Sequence, residues 1–277
     1  MGTLRRNWWK LIIIALIALI TRVLLLQLLP LRSSSTFEMA PSIFSRQIGM
    51  MPTAAIVITI SYAVIASVLI VVQDHLLGSQ FKRLLLCSLP FSFIWLMGVL
   101  ESVSALGKPF LPELLIGLTD IIPIIIMGGM ISFWVSRNVH QTKHTPGKST
   151  VSSIFIIAFT YFVGRYFMYT LIQINSGYFS NAIATFVWTL TMGLAIGLAY
   201  FMLRTGVKGN TPLARGLWFG CVAFGLYWAL NNFFMPIVFD MSFIQFTPTI
   251  MNYVYRAIID TAFVSLGIWI FEYAYSV

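Results

Sequence analysis

Arg22, Asp120, Arg165, Arg256 and Asp260 lie inside long apolar runs, the last two in the same one. An unpaired charge in hydrocarbon costs several kcal/mol, so each needs a counter-ion, a water-filled cavity or a route to the lipid headgroups. At about 1.5 Å of helix rise per residue, Arg22 and Arg165 lie roughly 20 Å beyond the start of their runs. The same arithmetic puts Asp120 and Asp260 roughly 12–16 Å from the start of theirs, so all four reach a similar depth. Pairing Arg22 with Asp120, and Arg165 with Asp260, would remove most of the penalty. The two pairs would then either pin helices together or line a polar cavity. A third possibility is that the arginines snorkel to phosphates, stems in the apolar layer and heads out of it.

The last run is the more polar one. Tyr253, Arg256 and Asp260 recur at spacings of three and four and share one helix face. Asn231 and Asn232 follow Tyr227 and Trp228 in the run before it. Arg165 and Arg256 face a single Asp260 in this half, which leaves one positive charge over. An inward-facing Arg256 then needs an anion from elsewhere, either Glu101 or a bound ligand. Arg165, Arg256, Asp260, Asn231, Asn232 and Tyr253 are therefore the expected site for a small anionic or zwitterionic ligand. The competing expectation for the asparagines is plain hydrogen bonding between packed helices.

These residues require spanning helices to hold them. The chain has 277 residues, 59% hydrophobic and 9% charged. Soluble domains carry about 25% charged residues. Its mean hydropathy is +0.90. A spanning helix needs about 20 apolar residues. Eight runs qualify: 8–29, 51–73, 83–103, 112–135, 152–173, 180–203, 214–237 and 248–271. The first follows a basic start but is too long for a signal peptide's apolar core, and no small-residue cleavage site follows, so a retained helix is expected. The fold class is all-α, a polytopic membrane protein of eight helices. Cys87 and Cys221 fall inside runs and read as small buried hydrophobes, not a disulfide framework.

The two halves echo each other. Ile13-Ile14-Ala15 with Arg22 lies over Ile156-Ile157-Ala158 with Arg165, and Leu28 and Ser33 lie over Leu171 and Ser176. Further along, Lys82, Leu84, Phe91 and Trp95 match Arg215, Leu217, Phe224 and Trp228, and Asp120 matches Asp260. Apolar identities are cheap in such runs; Arg on Arg and Asp on Asp are not. We expect a first four-helix unit over 1–140 and a second over 151–277. Four spans per unit make the two copies parallel, related by an axis along the membrane normal.

The net charge of +9 is read by position. With the N-terminus inside, eleven basic residues are cytoplasmic: Arg5, Arg6, Lys10, Lys82, Arg83, Arg137, Lys143, Lys148, Arg204, Lys208 and Arg215. Three, Arg32, Arg46 and Lys108, are outside. The positive-inside rule then sets both termini in the cytoplasm of a cell-membrane protein, with Trp8, Trp9 and Trp134 at the inner boundary. The charge is a membrane signal rather than a nucleic-acid one.

Smaller motifs carry less. Gly193-x-x-x-Gly197 is a small-residue packing face. Pro123 with Gly128-Gly129 is a potential kink below Asp120. His140 and His144 have helical metal-ligand spacing, but Pro146-Gly147 and the lack of a third ligand argue against a metal. No Walker A, His-Glu-x-x-His or Gly-x-Ser-x-Gly motif occurs, and no cofactor is implied. Three functions remain, in this order. The first is transport or export of a small ligand. The second is a non-catalytic membrane partner, such as an immunity, sensor or assembly subunit. The third is a membrane enzyme acting on lipid head groups, with Asp260 or Glu101 as acid or base. The lipid bilayer is the one partner the composition requires; a protein partner is left open.

Overall fold

The computed structural model describes residues 7–28, 40–73, 76, 78–135, 151–174, 181–240 and 250–275. His140, His144, Ser33, Ser176 and the three basic residues of the loop 136–150, Arg137, Lys143 and Lys148, lie outside the described residues. Every regular element among the described residues is a helix, apart from one isolated antiparallel bridge between Pro41 and Phe239.

The helices are α1 (Trp8–Leu28), α2 (Ile43–Ile48), α3 (Met50–Gln73), α4 (Gln80–Leu106), α5 (Phe110–Val135), α6 (Val151–Ile172), α7 (Ala182–Gly206), α8 (Pro212–Val238) and α9 (Ile250–Ala274). All but α2 are long and apolar enough to cross a membrane, which makes eight spans. In lipid a backbone must satisfy its own hydrogen bonds, and apolar runs of this length do so as helices. Local chemistry sets the ends. Ser79 caps α4 through a bond from the Lys82 amide, and Gly107 closes it at φ 66°. Thr211 caps α8, with Pro212 in the first turn where a missing N–H costs nothing. Wide π turns end α5 at Ile131–Val135 and occupy Trp218–Gly225 within α8. Pro123 sits inside α5 without interrupting it.

Contacts between spans run in a closed circuit: α1, α5, α4, α7, α6, α9, α8, α3 and back to α1. Across the middle, the Tyr227 hydroxyl of α8 donates to the Phe91 carbonyl of α4 at 3.2 Å. Small residues permit the closest approaches. A Cβ at Gly197 would lie 2.5 Å from the Ile154 carbonyl oxygen, and one at Gly193 2.8 Å from that of Ala158. These two glycines bring α7 against the α6 backbone. The core holds Ile14, Tyr62, Cys87, Ile124, Tyr161, Met192 and Trp228, whereas Ile20, Phe159, Phe167 and Ile183 face outward, as lipid-exposed residues should. Cys221 departs from the expectation of burial. It faces out of the bundle, because the wide turn around it puts Phe219, Gly220, Ala223 and Phe224 inside.

Contacts also sort the helix ends. Lys10 of α1 donates to the Trp134 carbonyl at the end of α5, at 3.1 Å, with its ammonium 5.2 Å from that indole and 5.6 Å from Trp9. Ser132 of α5 donates to the Gln80 carbonyl at the start of α4. Arg204 and Arg215, where α7 ends and α8 begins, meet Glu272 near the end of α9. These ends form one basic end of the bundle.

The opposite end carries a contact between the halves. Ser42 caps α2 and also donates to the Ile237 carbonyl at 2.5 Å, while Ser45 donates to Val238 at 2.7 Å. Arg46 pairs with Asp240 at 3.0 Å. The short α2 is thereby seated on the end of α8.

Candidate functional site

In the first half, Arg22 reaches Asp120 from α1 to α5 and donates through Nε to Oδ1. Trp95 of α4 donates its indole N–H to the other oxygen, Oδ2, at 2.8 Å. Asp120 is 4% exposed and Arg22 16%. Tyr62 of α3 lies with its ring 6.5 Å from that of Trp95, and its buried hydroxyl has no hydrogen-bond partner.

The second half repeats the arrangement and extends it. Arg165 of α6 donates through Nη1 to Oδ2 of Asp260 on α9 at 2.9 Å. Trp228 of α8 donates to the same oxygen at 2.7 Å, and the Tyr169 hydroxyl lies 3.1 Å from both carboxylate oxygens. The Arg165 guanidinium lies 4.5 Å from the rings of Tyr169 and Trp188. It also donates to the Tyr161 hydroxyl at 2.5 Å. Side chains of Arg165 and Asp260 are completely buried. Cation–π contacts and fixed donors of this kind stand in for water around a charge.

Glu101 of α4 completes the cluster. Its Oε1 accepts from Nη2 of Arg165 at 2.5 Å, and from Nη2 of Arg256. Arg256 also lies 5.8 Å from the Tyr253 ring. The expected surplus positive charge is therefore absent. Two arginines meet two carboxylates, Asp260 from their own half and Glu101 from the other. Glu101 was one of the two anions expected for Arg256; that it also serves Arg165 was not expected. Glu101 is about 8 Å from the end of α4, and Arg256 about 9 Å from the start of α9. They form the accessible edge of the cluster, at 11% and 13% exposure.

Of the other expected site residues, Tyr253 is buried beside Arg256. Asn232 gives its amide to the Trp228 carbonyl of its own helix at 2.9 Å. Asn231 packs on Gly98, where an added Cβ would come 2.9 Å from its amide nitrogen. The asparagines thus pack around the cluster rather than joining it.

A further charged group stands at the basic end. Glu272 accepts from Arg204 at 2.8 Å and from the Tyr200 hydroxyl at 2.5 Å, and pairs with Arg215 at 3.1 Å. Sequence reasoning missed it, since a charge in the last turn of a span looks like an ordinary interfacial residue.

Chemically, Asp260 is saturated by donors and sealed from solvent, which suits a fixed counter-ion rather than an acid or base. Among the described residues, no three His, Cys, Asp or Glu side chains gather as a metal site would need. Elsewhere, an open groove of about 620 Å³ lies between α8 and α9, lined by Leu217, Cys221, Gly225, Ala257, Ser265 and Trp269 among others. No charged residue lines it. Comparison with protein-family models, curated proteins and solved structures gave no match.

Proposed function

We propose that this multi-pass membrane protein is a carrier for a small anionic ligand, with its site where Arg165 and Arg256 meet Glu101. One observation carries the reading: two arginines of the second half converge on one carboxylate oxygen of the first. Ionisable residues within a membrane bundle mark ligand and ion pathways more often than they serve packing alone. A cluster bridging two halves is also what a rocking motion between them would break and remake.

The halves are, in this reading, copies of one four-helix unit over 1–140 and 151–277. Two features support the duplication. Arg, Trp and Asp from the first, third and fourth spans of each half make the same contacts, Arg22–Asp120–Trp95 and Arg165–Asp260–Trp228. The circuit of spans is also unchanged when α1, α3, α4 and α5 are exchanged for α6, α7, α8 and α9. The basic end faces the cytoplasm by the positive-inside rule.

The test is thermal unfolding of the purified protein in nanodiscs with acetate, lactate, chloride or inorganic phosphate, beside Arg256→Gln. The carrier reading expects at least one anion to raise the melting temperature of the wild type and not of the variant, and to be taken up by proteoliposomes. No shift and no flux with any of them, for a folded protein, would overturn it. A second reading, a non-catalytic membrane partner, is favoured by the groove between α8 and α9, whose small side chains would accept another helix.

A further inference from the structure

We infer that Glu101 is an internal stand-in for the ligand: a small monocarboxylate takes its place on Arg165 and Arg256, and Glu101 leaves as the neutral acid. The inference rests on the carrier reading and specifies its ligand and its coupling.

The geometry distinguishes the two carboxylates of the cluster. Asp260 is fixed by Arg165, Trp228 and Tyr169, and its side chain is fully buried. Glu101 is held through a single oxygen, Oε1, by the two arginines, and its side chain is 11% exposed against 0% for Asp260. Its departure would cost no other bond to its carboxylate. The Nε atoms of Arg165 and Arg256 have no partner, so neither guanidinium is saturated while Glu101 occupies the site. Among the described residues, the charged groups facing Glu101 are Arg165 from α6 and Arg256 and Asp260 from α9, with the rings of Tyr169 and Tyr253 beside the arginines.

Charge balance sets the ligand class. The cluster has two positive and two negative charges. If Glu101 accepts one proton from solvent and one monocarboxylate enters, the sum is unchanged. A dianion would leave a buried negative charge, and a zwitterion would bring an ammonium to two guanidiniums. Either leaves an uncompensated charge in low-dielectric surroundings, which binding disfavours. The exchange binds one proton with each anion, the equivalent of loading one molecule of weak acid. The second oxygen of an entering carboxylate could accept from a guanidinium fork, the geometry arginine is built for.

The experiment is calorimetric titration of acetate into the protein in nanodiscs, across a pH series and in two buffers of different ionisation enthalpy. The wild type should take up one proton per acetate, and its affinity should fall about tenfold per pH unit wherever free Glu101 is ionised. Glu101→Gln, which mimics the neutral acid, should bind acetate with no pH slope and no proton uptake. Acetate binding to the wild type without proton uptake would overturn the inference and leave the carrier reading standing. A pH slope that persists in Glu101→Gln would do the same. Should that variant fail to fold, the wild-type proton count alone decides between one and zero. Failure of acetate and of the other anions to bind either folded protein would sink both proposals.

Discussion

Arg22 and Asp120 share one ion pair but are not equivalent. Asp120 is sealed in the bundle, whereas Arg22 is partly exposed and about 9 Å from the end of α1. A long cationic side chain near a helix end can reach the headgroup layer when its partner is lost. A buried aspartate cannot. Arg22→Gln should therefore destabilise by about 3–5 kcal/mol, while Asp120→Asn costs about 1–2 kcal/mol. Thermal unfolding in nanodiscs measures both, and the reverse order would refute the asymmetry. The same logic separates the second pair of arginines. Arg165→Gln strips Asp260 of its only ion-pair partner and Glu101 of one of its two. Arg256→Gln leaves both carboxylates with Arg165. We expect Arg165→Gln to fold poorly and Arg256→Gln to insert and melt close to wild type while losing ligand-dependent stabilisation. Equal loss of folding in the two would make Arg256 a structural charge only. The rare charges were legible in the sequence because apolar runs make them conspicuous. Glu101 was legible as a counter-ion for Arg256; its second contact, to Arg165, was not, since it depends on α4, α6 and α9 meeting in space.

At the scale of elements, run length and hydropathy carried most of the information. The eight spans lie within a few residues of the limits that composition sets, because lipid allows few alternatives to a continuous helix. The exception is α2. Six residues inside a polar connection have no periodicity to read, and its stability comes from the Ser42 cap and its seat on α8. Side-chain size was also readable at Gly193 and Gly197, though the partner was not. There the structure makes a graded prediction. Gly197→Ala places a methyl 2.5 Å from backbone oxygen, so α6 and α7 must separate. Gly129→Ala meets only the tip of Leu84 at 3.3 Å, and that side chain can turn away. The first should lower the melting temperature by several degrees and the second hardly at all. Similar melting temperatures for the two would show that the α6–α7 approach is not limiting.

For the whole molecule, the basic end fixes the expected topology. Lys10, Lys82, Arg83, Arg204, Lys208 and Arg215 belong to helix ends or turns on that side, against Arg46 and Lys108 on the other. A phosphatase reporter that is active only outside the cytoplasm, fused after Val277, should be silent, and a cytoplasmic reporter at the same place should be active. The opposite result would invert the assignment of the ends. The seating of α2 on α8 also bears on how the chain is made. Ser42 and Ser45 find their acceptors 195 and 193 residues later. At about 5–20 residues per second, the ribosome delivers those acceptors about 10–40 s after α2 emerges. Throughout that interval α2 has no seat, and Arg256, which follows those acceptors in the chain, has not yet reached Glu101. A nascent chain arrested before α6 therefore displays an unseated α2 and a membrane carboxylate with neither of its arginines. A chain that has completed α9 hides both.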